Sequence, residues 1–295
     1  MLATLVDKPF HQPGWIYEEK YDGYRILAYK EGDKVTLLSR NNNDRTHSYP
    51  QIATAVGKVP ARTLLLDGEA VAFDRHRVSR FQLLQQGSPA SYAVFDLLYE
   101  NGEDLRKQPL SDRRERLQSA VTRNARIFIS HRLAENGLEA YRSAKEKGYE
   151  GLVAKDLSSP YIGGRSTKWL KVKVKQEDEF IIVGYTAPAG AREFFGALLL
   201  GAYEGKDLRY VGKVGTGFSR STLASLFRAF RPLIRQTLPV VNPPREKNVT
   251  CLEPKLVAQI AYGEWTADGK LRQPVFLGLR DDKKPSEVVI PKRQP

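Results

Sequence analysis

The chain has 295 residues, 41% of them hydrophobic, with a formal net charge of +13 and a pI of about 9.7. That length predicts two domains with sizeable cores, and the apolar content excludes wholesale disorder. No apolar run reaches the ~18 residues of a membrane-spanning helix, MLATLVDKPFHQPGW is too interrupted by Asp7, Lys8 and Pro9 for a signal peptide, and a lone cysteine, Cys251, excludes an internal disulfide or a multi-cysteine zinc site.

In chain order, WIYEEK and YRILAYK read as strands joined at Asp22-Gly23, a dipeptide that predicts a hairpin turn. KVTLLSR, TLLLDGEAVAF and the buried SYAVFDLLY follow as strands. LSDRRERLQSAV reads as a helix capped by Ser111, RIFISH as a strand, and AENGLEAYRSAKEKG as a helix ending at Gly148. GLVAK and TKWLKVKVK close a mixed segment. After Lys175 the texture changes to short strands at regular spacing with glycine turns, DEFIIVGYT, GALLLGAYEG, DLRYVGKVG and PKLVAQIAYGEW, with one helix, SRSTLASLFRAFRPLI, among them. That pattern predicts a small β-barrel of the OB-fold kind. The expected fold class is α+β, with domains 1–175 and 176–295. Net charge is +8 before Gln176 and +5 from there on, so a polyanion would find basic surface on both.

Several polar residues exceed what these elements need. In TKWLKVKVK the alternation puts Leu170, Val172 and Val174 on one face and Trp169, Lys171, Lys173 and Lys175 on the other. Aligned lysines repel, and an anion between them relieves the repulsion; taken alone, the stripe reads more readily as a solvated edge. Asp67 and Glu69 share a face of an apolar strand, and Glu150 stands at the mouth of another. Carboxylates in such settings need a basic side chain or a divalent metal. Phe95 alone is a core aromatic and Arg40 alone a loop arginine. Together with Lys20 and Arg25, the set fits nucleoside triphosphate chemistry on a covalent lysine. Its amine attacks phosphorus only when deprotonated, and nearby cations or a metal would lower its pKa. A P-loop is excluded, because no G-x-x-x-x-G-K-[ST] occurs.

The ordered series KYDGYR, SRN, LDGE, VFDLLY, EGLVAK and WLKVK resembles the ATP-dependent DNA ligases of the covalent nucleotidyltransferase superfamily, nearest the ligase module of bacterial end-joining ligase D. The resemblance spans nearly the whole chain. It implies an adenylation domain of antiparallel sheets with flanking helices, followed by an OB-fold barrel. Lys20 would be the nucleophile and Glu18 would lie along the adenine through its backbone. Arg25 and Glu69 would contact the ribose, Arg40 ribose or phosphate, and Phe95 would stack on the base. Lys171 and Lys173 would hold the α-phosphate. Glu150, Glu69 and Asp22 would serve Mg²⁺ or Mn²⁺, with Asp22 also orienting Lys20. Lys155 joins the nucleotide site only if a bend brings it to the side of Glu150. LRQPVFLGLRDDKKP resembles the family's last motif, so Arg272, Arg280 and Lys283 would orient pyrophosphate. Leu277 stands where the family often has a basic residue.

The implied activity is ATP-dependent sealing of 5′-phosphate/3′-hydroxyl nicks or ends in duplex DNA, in repair by end joining, with a Ku-type partner. The expected form is a monomeric minimal ligase core, free-standing or part of a longer enzyme, in the bacterial cytoplasm at the nucleoid and off the membrane. An RNA ligase, a GTP-using capping-type enzyme and a non-catalytic DNA-binding relative are the competing readings.

Overall fold

The computed structural model describes residues 1–122, 124–190, 192–246 and 248–290. The chain divides into two compact units that meet between Lys175 and Gln176. Among the described residues no helix is long and apolar enough to cross a membrane.

In the first unit the elements run β1 (Leu2–Val6), β2 (Trp15–Glu19), β3 (Tyr24–Glu31), β4 (Lys34–Ser39), α1 (Pro50–Gly57), β5 (Thr63–Val71), α2 (Phe81–Gln85), β6 (Ser91–Glu100), β7 (Glu103–Asp104), α3 (Leu110–Ala120), β8 (Ile127–Ile129), β9 (Arg132–Ala134), α4 (Gly137–Glu146), β10 (Gly151–Asp156) and β11 (Arg165–Lys173). They build two sheets, one ordered β1-β11-β10-β2-β9 and the other β4-β3-β5-β6-β7 with β8 on β6. Pairing is antiparallel except for β1 on β11 and β8 on β6. Tyr17, Leu152, Ala154 and Val172 of the first sheet pack against Ala140 of α4. Ile26, Leu37, Leu66 and Val94 of the second pack with Ile52 and Val56 of α1 and Leu117 of α3.

Two expectations give way here. Asp22-Gly23 is not a hairpin turn: β2 and β3 belong to different sheets, and residues 20–23 cross between them. The glycine is required for proximity, since a Cβ on Gly23 would stand 2.1 Å from the Ala70 carbonyl oxygen. Ser111 does not cap α3 either. Pro109 precedes the helix, and the Ser111 amide donates to the Leu157 carbonyl. β1 was not foreseen; a five-residue apolar run has no distinguishing period.

The second unit comprises β12 (Glu177–Thr186), β13 (Leu198–Glu204), β14 (Asp207–Val214), α5 (Arg220–Phe230), β15 (Ile234–Arg235), β16 (Val249–Ala261), β17 (Glu264–Trp265), β18 (Leu271–Arg272) and β19 (Val275–Leu279). The main sheet runs β14-β13-β12-β16-β15, with β19 also on β16, and β17 pairs β18. One core fills it, into which α5 sets Leu223, Leu226 and Phe230. Ser219 caps α5 by accepting from the Thr222 amide. These strands and their one helix match the OB-fold domain expected after Lys175. The strands are those of the expected OB-fold, a partly open barrel, and no closing strand ladder is present among the described residues. The chain after β14 meets the start of β19 through two bonds from Thr216, which accepts from the Phe276 amide and donates to the Pro274 carbonyl, rather than through a strand ladder.

Candidate active site

Lys20 follows β2 directly, and its amide donates to the Gly151 carbonyl at 3.0 Å. Its Nζ stands 2.5 Å from Glu150 Oε1. Glu150 is set at the entry of β10 by a bend: its carbonyl accepts from both the Val174 and Lys175 amides. Beyond the bend, alternation puts Val153 and Lys155 into the same cleft as Lys20, which is the bend that Lys155 required. Burial disfavours the charged amine of Lys20, but Glu150 outweighs it, with Asp22 and Glu69 adding to its effect, so the pKa is raised. The charges that the protein itself sets nearest the amine are acids, not the cations expected to lower its pKa.

The cleft beside Lys20 has a volume of about 160 Å³ and gathers Arg25, Glu69, Phe95, Lys155 and Lys171 in its walls. Arg25 and Glu69 face each other across β3 and β5. Phe95 enters through a bulge, because Asp67 pairs with Asp96 and Gly68 with Val94, leaving Phe95 out of register on β6. A Cβ at Gly68 would stand 2.5 Å from the Tyr92 ring, so this glycine lets β5 lie against β6. Trp169, edge-on to Phe95 at 5.8 Å, shares the face with Lys171, while Leu170 and Val172 turn to the core. Lys173 continues that face, opposite Gly151.

Beneath the cleft lies a layer of buried ion pairs. Arg25 forks onto Asp67, with Nε to Oδ1 at 2.9 Å and Nη2 to Oδ2 at 2.5 Å, and Tyr161 donates to the same carboxylate at 2.7 Å. Burial raises the Asp67 pKa, but Arg25 prevails and the carboxyl is lowered. Asp67 is therefore a structural salt bridge, while Glu69 remains at the cleft. The Glu18 side chain is held by Arg114 and by Lys155, the latter at 2.6 Å. Lys155 Nζ also lies 4.5 Å from the Phe95 centroid and 4.3 Å from that of Trp169. Burial lowers its pKa, against Glu18. Arg113, fully buried, forks onto Asp96.

Sequence reasoning missed Arg113, Arg114, Tyr161 and Trp169 as site builders. The signal for the arginines was the helical period. Leu110, Arg113, Arg114 and Leu117 form one stripe, so a charged pair faces the core. Among the described residues the cleft walls do not include Arg40, which follows β4, or Lys173, at the end of β11, and no group of three or more His, Cys, Asp or Glu is spaced to hold a metal. Glu150, Glu69 and Asp22 surround Lys20 instead, and one Asp22 oxygen accepts from the Phe81 amide at 3.0 Å.

In the second unit Arg272 pairs with Glu264 at 2.7 Å, and Lys283 with Glu179 at 3.2 Å. Arg280 forks onto Asp282 and reaches Gln259. Leu277 sits at a bulge, since Gln259 pairs with Gly278 and Ile260 with Phe276.

Residues 1–173 match the family described as ATP dependent DNA ligase domain, and residues 191–283 the ATP dependent DNA ligase C terminal region. The multifunctional non-homologous end joining protein LigD of Pseudomonas aeruginosa is 39% identical over 301 residues, covering 97% of this chain and 36% of that protein. A DNA ligase of Thermococcus fumicolans is 35% identical over 302 residues, covering 92% of this chain and 53% of its own length. A solved structure of mycobacterial DNA ligase D complexed with ATP and MES superposes with a TM-score of 0.69 at 35% identity, covering 98% of both chains. The chain thus spans only 36% of the length of the Pseudomonas LigD and 53% of the Thermococcus ligase.

Proposed function

The chain belongs to the ATP-dependent DNA ligases, and from that premise we propose that it joins 5′-phosphate and 3′-hydroxyl ends of duplex DNA through AMP carried on Lys20. The observation that carries the reading is the meeting of Lys20 with Phe95, Arg25, Glu69 and Lys171 at one cleft. In the first step the Lys20 amine attacks the α-phosphorus of ATP, the N–P bond forms, the bond to pyrophosphate breaks and the amine loses its proton. AMP then passes to the DNA 5′-phosphate. The 3′-hydroxyl attacks that adenylylated end and releases AMP. Each step is an in-line displacement, in which positioning and electrostatics supply most of the catalysis.

Phe95 stacks on the adenine. Glu18, its side chain taken by Arg114 and Lys155, offers only backbone to the base. Arg25, braced by Asp67, keeps its Nη1 donors for the ribose, beside Glu69. Lys171 and Lys173 hold the α-phosphate. Arg40 reaches ribose or phosphate only by moving toward the cleft. Glu150 and Glu69 fit Mg²⁺ or Mn²⁺, which takes one or two carboxylates and completes its shell with substrate phosphates and water. Bound there, the metal would neutralise phosphate charge. Asp22 is left to position Lys20. Arg272, Arg280 and Lys283 serve pyrophosphate once released from their acidic partners.

Basic charge on both units suits DNA phosphates without base readout. The likeness to a protein named for non-homologous end joining extends the proposal to break repair beside a Ku-type protein, by a monomer in the bacterial cytoplasm at the nucleoid. The test is transfer of label from α-labelled ATP to protein, followed by sealing of a 5′-phosphorylated nicked duplex. Wild type labels with ATP and seals DNA, and Lys20→Ala does neither. Label retained in Lys20→Ala refutes the nucleophile. Preference for GTP, or for RNA ends, refutes the substrate.

A further inference from the structure

We propose that Ser79 is a positioning residue for the adenylylation step: its buried hydroxyl accepts from the Asp22 amide, and so ties the connection that carries the nucleophile to the turn growing out of β5. The inference rests on the assignment of Lys20 given above.

Residues 20–23 cross from one sheet to the other, and a segment between ladders lacks the regular bonds that hold a strand in place. Lys20 has its bond to Gly151, but the two residues after it depend on what the surrounding chain supplies. Ser79 is 3% exposed. Its Oγ accepts from the Asp22 amide at 3.0 Å. Two residues further on, the Phe81 amide donates to Asp22 Oδ2 at 3.0 Å.

The segment that presents Ser79 is stiff. It is the return arm of a turn growing out of β5, the strand of Glu69. The turn is closed by a bridge between Phe73 and Ser79 and by the Arg80 amide on the Ala72 carbonyl at 2.9 Å. Asp74 holds its tip, accepting from the His76 and Val78 amides and from Arg80 Nε. The hydroxyl therefore ties the nucleophile's connection to the strand that carries an acid of the same cleft. Ser79 and Phe81 thus hold Asp22 at its amide and at its carboxylate from one segment.

The test is Ser79→Ala, which removes the hydroxyl and adds no volume, read by rapid-quench transfer of α-label over a range of ATP concentrations. The expected result is a fall of about tenfold in the rate at saturating ATP, because small misplacements of a reacting group carry costs of that order. The ATP concentration at half-maximal rate should change less than about twofold. Sealing of a nick already carrying AMP on its 5′-phosphate should stay near wild type, since Lys20 is not the reacting group there. An unchanged adenylylation rate overturns the proposal. So does an equal loss in sealing of the pre-adenylylated nick, which marks damage to the whole fold. Failure of the wild type to label at all overturns the assignment of Lys20 instead.

Discussion

Replacing Glu150 by Gln should turn Lys20 from a held cation into a reactive amine. The two charges stand 2.5 Å apart, with side-chain exposures of 21% for Lys20 and 8% for Glu150. At an effective dielectric of about 20 the gross attraction is on the order of 6 kcal/mol. Removing one partner of a buried pair costs ~3–5 kcal/mol, and the partial exposure of Lys20 places the variant toward the lower end of that range. The burial that disfavours the charged amine is retained in the variant, while its main opponent is lost. The Lys20 pKa should therefore fall. Competitive labelling of lysines with an amine-directed acylating reagent, read peptide by peptide against pH without nucleotide or metal, measures this directly. Wild-type Lys20 should react slowly up to pH 10, and in Glu150→Gln it should become reactive at a lower pH, while surface lysines keep their profiles. Stability follows with a defined sign. A lysine whose folded pKa is raised contributes stability that is present below its ordinary 10.5 and is lost as pH rises through the folded value. The stability gap between the two proteins should persist through neutral pH and close only above about 10.5. Identical labelling profiles would refute the reasoning that Glu150 sets the charge of the nucleophile.

Glu19 gives a second handle. Burial pushes its carboxyl up to about 8, against Lys147 and the Ser79 hydroxyl. The folded state then holds a proton that the unfolded state loses, so stability falls as pH rises from about 4.5 to 8. Glu19→Gln should remove that slope and stabilise the protein by ~3 kcal/mol near pH 7, measured by urea unfolding at several pH values. Asp67→Asn should cost ~3–5 kcal/mol by leaving the Arg25 guanidinium without its counter-charge, and should weaken ATP binding in an equilibrium titration. The Asp67 carboxyl is lowered, so its contribution is present above its ordinary pKa of 3.8 and disappears on acidification through the folded value.

The residues that converge on the cleft were legible as types: a lysine before Asp-Gly, an aromatic in a buried strand and a lysine stripe each mark a position by local pattern. Their supports were not. Asp67 partners Arg25 rather than the Leu27 it faces in register, because a long guanidinium reaches diagonally. Lys155 shares the cleft with Lys20 only because the backbone bends at Glu150, which no period announces. EEKYDGYR was misread as a hairpin for a related reason. Alternation identifies two strands and Asp-Gly a reversal between them, but the partners of β2 are β10 and β9, more than a hundred residues away. The sequence period carries no information about such distant pairing.

That distant pairing sets an order of assembly during synthesis. The sheet containing β3 to β8 is built from residues 24–129, an almost contiguous stretch, and can close as soon as that stretch has left the ribosome. The other sheet takes β1 and β2 from the start of the chain and β9, β10 and β11 from residues 132–173. Its first two strands therefore wait, unpaired, through the translation of more than a hundred codons, with the five residues of β2 that will end up buried still exposed. Lys20 lies at the junction between the early and the late sheet. The nascent chain consequently acquires Phe95 and Glu69 before Lys171, and a chain interrupted before residue 150 lacks both Glu150 and Lys171.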